Sequence, residues 1–140
     1  MIRGWLVAAM VLVSVPAWGL PGDGVYRGTI ACGASLPHPT TGQTYPGWSR
    51  QGFTLTITNG SLRGDASGLH RSGVPWTETW NGAVRDQRVS ILAQGQDPRN
   101  DPWFYTMTGE VPTTRELVVH GAMYVLNQRH RVCWFRGQRI

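Results

Sequence analysis

The stretch Gly52-Phe53-Thr54-Leu55-Thr56-Ile57-Thr58-Asn59-Gly60 constrains the fold of this chain more than any other. Apolar side chains take the odd positions and threonines the even ones, the two-residue period of a strand with one buried face. Asn59-Gly60 then supplies residues that tolerate positive φ at both central positions of a tight hairpin turn. A two-residue turn there pairs Ile57 with Leu62 and Leu55 with Gly64. Both pairs stay on the apolar face, so turn and pattern agree on one register.

The same test places the next hairpin. A turn at Asn81-Gly82 would set Val84 opposite Thr79, on a threonine face. A turn at Asp86-Gln87 pairs Val84 with Val89, Gly82 with Ile91 and Trp80 with Ala93, all apolar or glycine, at the expense of Arg85 facing Arg88. Alternation predicts further strands over Trp103–Glu110 (Trp103, Tyr105 and Met107 on one face) and 116–124 (Leu117, Val119, Gly121, Met123), joined by a turn at 112–115. A first strand is expected over Gly24–Cys32, with Tyr26, Gly28 and Ile30 together, and a last over 130–136. No part of residues 20–140 sustains a helical apolar period. The expected fold is all-β, eight antiparallel strands in a meander.

Eight antiparallel strands have two exposed edges unless the sheet closes. In a closed meander the first and last strands are neighbours. Cys32 ends the first and Cys133 lies early in the last, so the two cysteines of the chain fall at one height, where a disulfide would stitch a small barrel shut. The architecture is like that of lipocalins and avidins, as a likeness of fold alone; a two-sheet β-sandwich is the alternative. Closing a loop of this length stabilises by about 4–5 kcal/mol on chain-entropy grounds.

An oxidised pair requires an oxidising compartment, and the N-terminus offers the route. Arg3 precedes an apolar run over residues 5–15, Pro16 ends it, and Ala17-Trp18-Gly19 places small residues at the −3 and −1 positions of a signal-peptidase site. Residues 1–19 are therefore expected to be a cleaved secretory signal. The run is shorter than the roughly 20 apolar residues of a spanning helix, so no membrane span is expected after cleavage. Residues 20–140 form one domain, periplasmic or extracellular. An outer-membrane barrel would carry an apolar outer face, whereas Thr54, Thr56 and Thr58 make a polar one. The net charge is +5. Every basic side chain is arginine, a composition that follows from a G+C-rich gene as readily as from phosphate binding, and no nucleic-acid partner is expected.

Connections in a meander alternate between the two ends of the barrel. The turns at Asn59-Gly60, Asp86-Gln87 and 112–115 share one end and are short. The connections at 33–50, 66–74, 94–101 and 125–129 share the other and are longer, the first long enough to act as a lid or binding loop. Chemistry-bearing residues follow the long loops: His38, Tyr45 and Trp48 in the first, His70 in the second, Asp97 and Asp101 in the third, His130 beside the fourth. Trp76, Trp103 and Tyr105 stand on strands that start from the same end. These seven, Tyr45, Trp48, Trp76, Trp103, Tyr105, His38 and His70, are the expected ligand-binding set, because pockets favour barrel mouths. Core filling is the competing role for the strand tryptophans. Residues 96–101 read as a solvated turn. No tight His or Cys spacing supports a metal site, no cofactor is expected, and no nucleophile, zincin or phosphate-loop motif is present. Arg129, Arg131 and Arg136 are a candidate patch for an anionic polymer.

The framework Asp23-Gly24-Val25-Tyr26-Arg27-Gly28-Thr29-Ile30-Ala31-Cys32, with Trp80-Asn81-Gly82-Ala83-Val84, Trp103-Phe104-Tyr105, Gly109, Gly121-Ala122-Met123 and Arg131-Val132-Cys133, resembles small exported bacterial β-barrel proteins of uncharacterised function. These are scaffold residues spanning most of the mature chain, and the resemblance implies a fold but no activity. Three functions compete. A non-catalytic binding module would take a small ligand or envelope component at the long-loop end. A secreted inhibitor or protein-interaction domain would probe with the 33–50 loop. An enzyme would use the mouth histidines as general bases.

Overall fold

The computed structural model describes residues 19–140; the expected secretory signal lies, up to its last residue, outside them. Eight strands follow one another: β1 (Gly24–Cys32), β2 (Trp48–Thr58), β3 (Ser61–Leu69), β4 (Pro75–Arg85), β5 (Arg88–Gln96), β6 (Trp103–Glu110), β7 (Glu116–Val125) and β8 (Gln128–Arg139). They close into a barrel in sequence order, each antiparallel to its neighbours. The seam is the β1–β8 ladder, which ends with Cys32 directly opposite Cys133. The two are joined by a disulfide across 101 residues of chain.

The hairpin registers follow the side-chain pattern. Ile57 pairs with Leu62, and Val84 with Val89, Gly82 with Ile91 and Trp80 with Ala93. Asn59 and Gly60 take φ of 51° and 74°, and Asp86 and Gln87 take 50° and 62°, the left-handed pair that matches strand twist in a two-residue hairpin. The β2–β3 ladder stops at Thr56–Arg63, so Leu55 and Gly64 lie just beyond it. There the Leu55 side chain covers the glycine, and a Cβ on Gly64 would sit 2.7 Å from it. The fourth long connection is not a loop. β7 and β8 run to a two-residue turn at Leu126-Asn127, with φ of 50° and 62°. Ladder pairing continues there as far as Val125–Gln128, since each added pair satisfies backbone groups that an open loop would leave to water.

The barrel is filled at one end and hollow at the other. In the short-turn half, Tyr26, Leu55, Ile57, Leu62, Val89, Met107, Leu117 and Val119 are fully buried. Asp23, also buried, caps this end: its carboxylate accepts hydrogen bonds from the Asn59 and Gly60 amides at 2.8 and 3.1 Å and from Leu20 N at 3.3 Å. Above lies an aromatic layer. The Phe53 ring is 5.1 Å from Trp80 and 5.8 Å from Phe135, and Trp80 is 4.8 Å from Tyr105. Each such pair contributes about 0.5–1.5 kcal/mol beyond its buried area. This layer underlies the hollow half, and Tyr105 is the one of its four rings that lines it.

Two β-bulges interrupt the ladders, both in the hollow half. β2 gains one residue on β1 between Phe53 and Arg50, opposite Gly28 and Ile30, where Gly52 takes φ of 73°. β8 gains one on β7 at His130, because Met123 pairs with Arg131 but Tyr124 with Arg129. An extra residue reverses the parity of a strand and re-aims its side chains.

A candidate ligand cavity at the long-loop end

Above the aromatic layer is a cavity of about 870 Å³, open to solvent at the long-loop end. His38, Tyr45, Trp48, His70, Trp76, Trp103 and Tyr105 all line it, so the structure brings the seven sequence-predicted residues to one place. Arg50, Glu78, Met123, Val125 and Arg131 join them, with His130, which the sequence placed beside the fourth connection.

Glu78 organises the wall. It points inward from β4, two residues from Trp80, and is only 4% exposed. Its Oε1 accepts from Arg50 Nη2 at 2.6 Å and from Trp80 Nε1 at 3.3 Å, and its Oε2 from Trp103 Nε1 and Tyr105 Oη, each at 2.7 Å. A carboxylate has about four lone-pair sites, and here all are filled. Glu78 thus has no free lone pair with which to act as a general base; it holds four neighbours in place. Burial, followed by the charge and hydrogen bond of Glu78, pushes the Tyr105 phenol well above its ordinary pKa, which keeps it a donor.

The aromatic walls are held as firmly. Trp103 lies flat on its cross-strand partner Gly95, and Trp76 on its partner Gly68. A Cβ would approach the Trp103 ring to 2.0 Å at Gly95 and the Trp76 ring to 2.7 Å at Gly68. Glycine at these two positions makes the flat seats. The Arg50 guanidinium sits 4.9 Å from the Trp48 ring centroid and 4.5 Å from that of Trp76, within the range of cation–π attraction. The first bulge turns Arg50 into the barrel, so Trp48 and Trp76 are joined by cation–π contact to the frame that Glu78 holds by hydrogen bonds.

The rim is tied across loops. His70 Nε2 lies 2.8 Å from Asp97 Oδ2 and His38 Nε2 lies 3.9 Å from Asp101 Oδ2, so the β5–β6 connection holds both the β3–β4 and β1–β2 connections. The connection at 96–101 is the solvated turn expected, with Gln96, Pro98, Arg99, Asn100 and Asp101 exposed, while the Asp97 side chain turns away from water. Burial pushes its carboxyl up, but the Asn100 side chain, the Arg99 and Asn100 amides and His70 outweigh that and hold its pKa at about 2. Among the described residues, no three His, Cys, Asp or Glu side chains converge as a metal cage.

The second bulge buries two adjacent residues of β8. His130, 5% exposed, packs edge-on to His38 at 6.0 Å and Tyr45 at 6.3 Å. Burial, then the charges of Arg131 and His38, hold its pKa below the ordinary histidine value, so it is neutral at pH 7. Arg131, 7% exposed, donates from Nη1 to Gly33 O and Pro46 O, each at 2.8 Å, and so pins both ends of the long loop. The expected basic patch of Arg129, Arg131 and Arg136 is therefore not one surface. Arg129 is exposed, Arg131 points into the cavity, and Arg136 lies outside, 3.3 Å from Glu116.

Comparison with family models, curated proteins and solved structures finds no match to this chain.

Proposed function

We propose that the protein is an exported, non-catalytic binding module that takes a small ligand or an envelope component into the hollow half of its barrel. One observation carries this reading: a solvent-open cavity whose aromatic walls are immobilised, by glycine seats and by the saturated Glu78 carboxylate, before any ligand arrives. Walls fixed in advance cut the ordering cost of binding. The alternative use of these aromatics, filling the core, is met elsewhere by Phe53, Trp80 and Phe135.

Export is supported by the disulfide, which persists in oxidising compartments, together with the secretory pattern of residues 1–19. The barrel exterior carries exposed Arg27, Arg63, Asp65, Ser90, Gln94 and Arg136 among exposed Leu92, Val118, Val132 and Trp134, a mixed face rather than the apolar band of a transmembrane barrel. The histidines fit a rim-fastening role better than a catalytic one, since His38 and His70 each face an acid on a neighbouring loop.

A neutral fluorescent probe, N-phenyl-1-naphthylamine, tests the reading. The mature protein should enhance its emission saturably with one site per chain, and Trp76→Leu should weaken binding at least about tenfold, ~1.4 kcal/mol. No saturable enhancement, or binding indifferent to Trp76, would refute it.

A further inference from the structure

Three side-chain polar atoms are buried without a hydrogen-bond partner among the described residues: His130 Nδ1, Arg131 Nε and Arg139 Nε. The last lies at the filled end, where Arg139 already donates to Tyr26 Oη and covers its ring. The other two are adjacent on β8, and both residues line the cavity. Orphaned buried polar atoms are rare in native structures and point to a group that completes them.

The two inward arginines differ. Arg50 is spent: its charge meets Glu78, and tryptophans lie over its guanidinium. Arg131 has no carboxylate within 4.0 Å among the described residues, although it is one of the most buried charged side chains in the chain. Both of its hydrogen bonds leave from Nη1 and go to neutral carbonyls. A buried charge is costly unless paired. The side-on edge formed by Nε and Nη2 is the fork that a carboxylate fits with two parallel hydrogen bonds. His130 is neutral and adds no second charge, so one anionic oxygen pair satisfies the site. The walls beyond it, Trp48, Trp103, Met123 and Val125, are largely apolar.

On the reading that this cavity binds a ligand, we infer that the ligand is a monocarboxylate with an apolar or aromatic body, its carboxylate bound by the Nε–Nη2 edge of Arg131 and its body held between the tryptophans.

The test compares 1-naphthylacetate with its neutral near-isostere 1-naphthylacetamide by calorimetry on the mature protein. The acid should bind at least tenfold tighter, and it should shift the Arg131 Nε–Hε resonance downfield while the amide leaves it in place. Arg131→Met should abolish the preference for the acid and retain binding of the amide; Arg129→Gln, on the exposed face, should change neither. If Arg131→Met does not fold, the wild-type preference and the Nε–Hε shift decide the matter alone. Equal binding of acid and amide, or an acid preference without a shift at Arg131, would overturn the carboxylate assignment and leave the cavity as a binding site. Binding of neither compound would overturn both readings.

Discussion

Arg50 Nη2 and Glu78 Oε1 meet at 2.6 Å across the width of a strand, since one stands on β2 and the other on β4. The strand between them, β3, turns Gly64, Ala66 and Gly68 inward, small residues that leave the gap open. The pair therefore bridges a stretch where β2 and β3 are not joined by ladder pairing, beyond Thr56–Arg63. A side-chain contact replaces backbone pairing where the wall has been opened to make room.

Removing one partner of a buried, hydrogen-bonded charge pair costs about 3–5 kcal/mol, because the other charge is left uncompensated. Glu78→Gln should lower unfolding free energy by about that amount in urea titration. Arg50→Met should cost at least as much, because the charge it leaves unpaired is that of Glu78, the more buried of the two, and the double variant should cost less than the two single effects added together. Additive losses would mean that the two side chains do not act as a pair.

Gly95→Ala places a methyl where the Trp103 ring lies, 2.0 Å from it. Trp103 must leave its seat and release Glu78. A loss of about 1–3 kcal/mol is expected from the steric overlap, together with a changed Trp103 indole N–H resonance and weaker probe binding. A variant with the parent stability and spectrum would show that the seat is not close-fitting.

The folded pKa of Asp97, about 2, lies below the ordinary aspartate value of 3.8. Its folded state therefore binds fewer protons than the unfolded chain between those values. The stabilisation is complete above about pH 4 and is lost as pH falls through about 2. Melting temperature should drop over that window in the wild type, and Asp97→Asn should be less stable at pH 6 yet show a smaller drop. Parallel pH profiles would contradict this.

Reduction of the disulfide, or Cys32→Ala with Cys133→Ala, releases a loop of about 100 residues, worth about 4–5 kcal/mol. Denaturation with and without reductant should differ by that order. A difference near zero would mean that the β1–β8 seam holds without its stitch.

The eight strands and two hairpin registers were legible because each rests on side-chain parity, which a sequence displays directly, and the closure because Cys32 and Cys133 stand at one height on the first and last strands. Trp80 was placed inward by its pairing with Ala93, and the same parity puts Glu78 and Trp76 inward with it; a carboxylate on an inward face was the available signal for the hub of the site. Arg50 and His130 were not legible in this way. Each sits at a bulge, and an extra residue hides in an alternation pattern as a mere irregularity. Arg50 lies three residues from Phe53, a spacing that unbroken alternation would assign to opposite faces. Arg131 is two residues from Cys133 and shares its inward face, but its position among Arg129 and Arg136 suggested an exposed basic patch. The Leu126-Asn127 turn was missed because a leucine at positive φ is an uncommon choice.

The central claim is that ligand enters the hollow half and meets walls already in place. Five of the seven tryptophans lie in residues 20–140 and allow a direct measurement by indole N–H chemical-shift mapping during titration with 1-naphthylacetamide. The resonances of Trp48, Trp76 and Trp103 should move together and saturate at one equivalent, while exposed Trp134 on the outer face and the Asn59 and Gly60 amides at the capped end stay fixed. Saturable shifts centred on Trp134 or on the Asn59-Gly60 turn, with the cavity tryptophans unmoved, would contradict it.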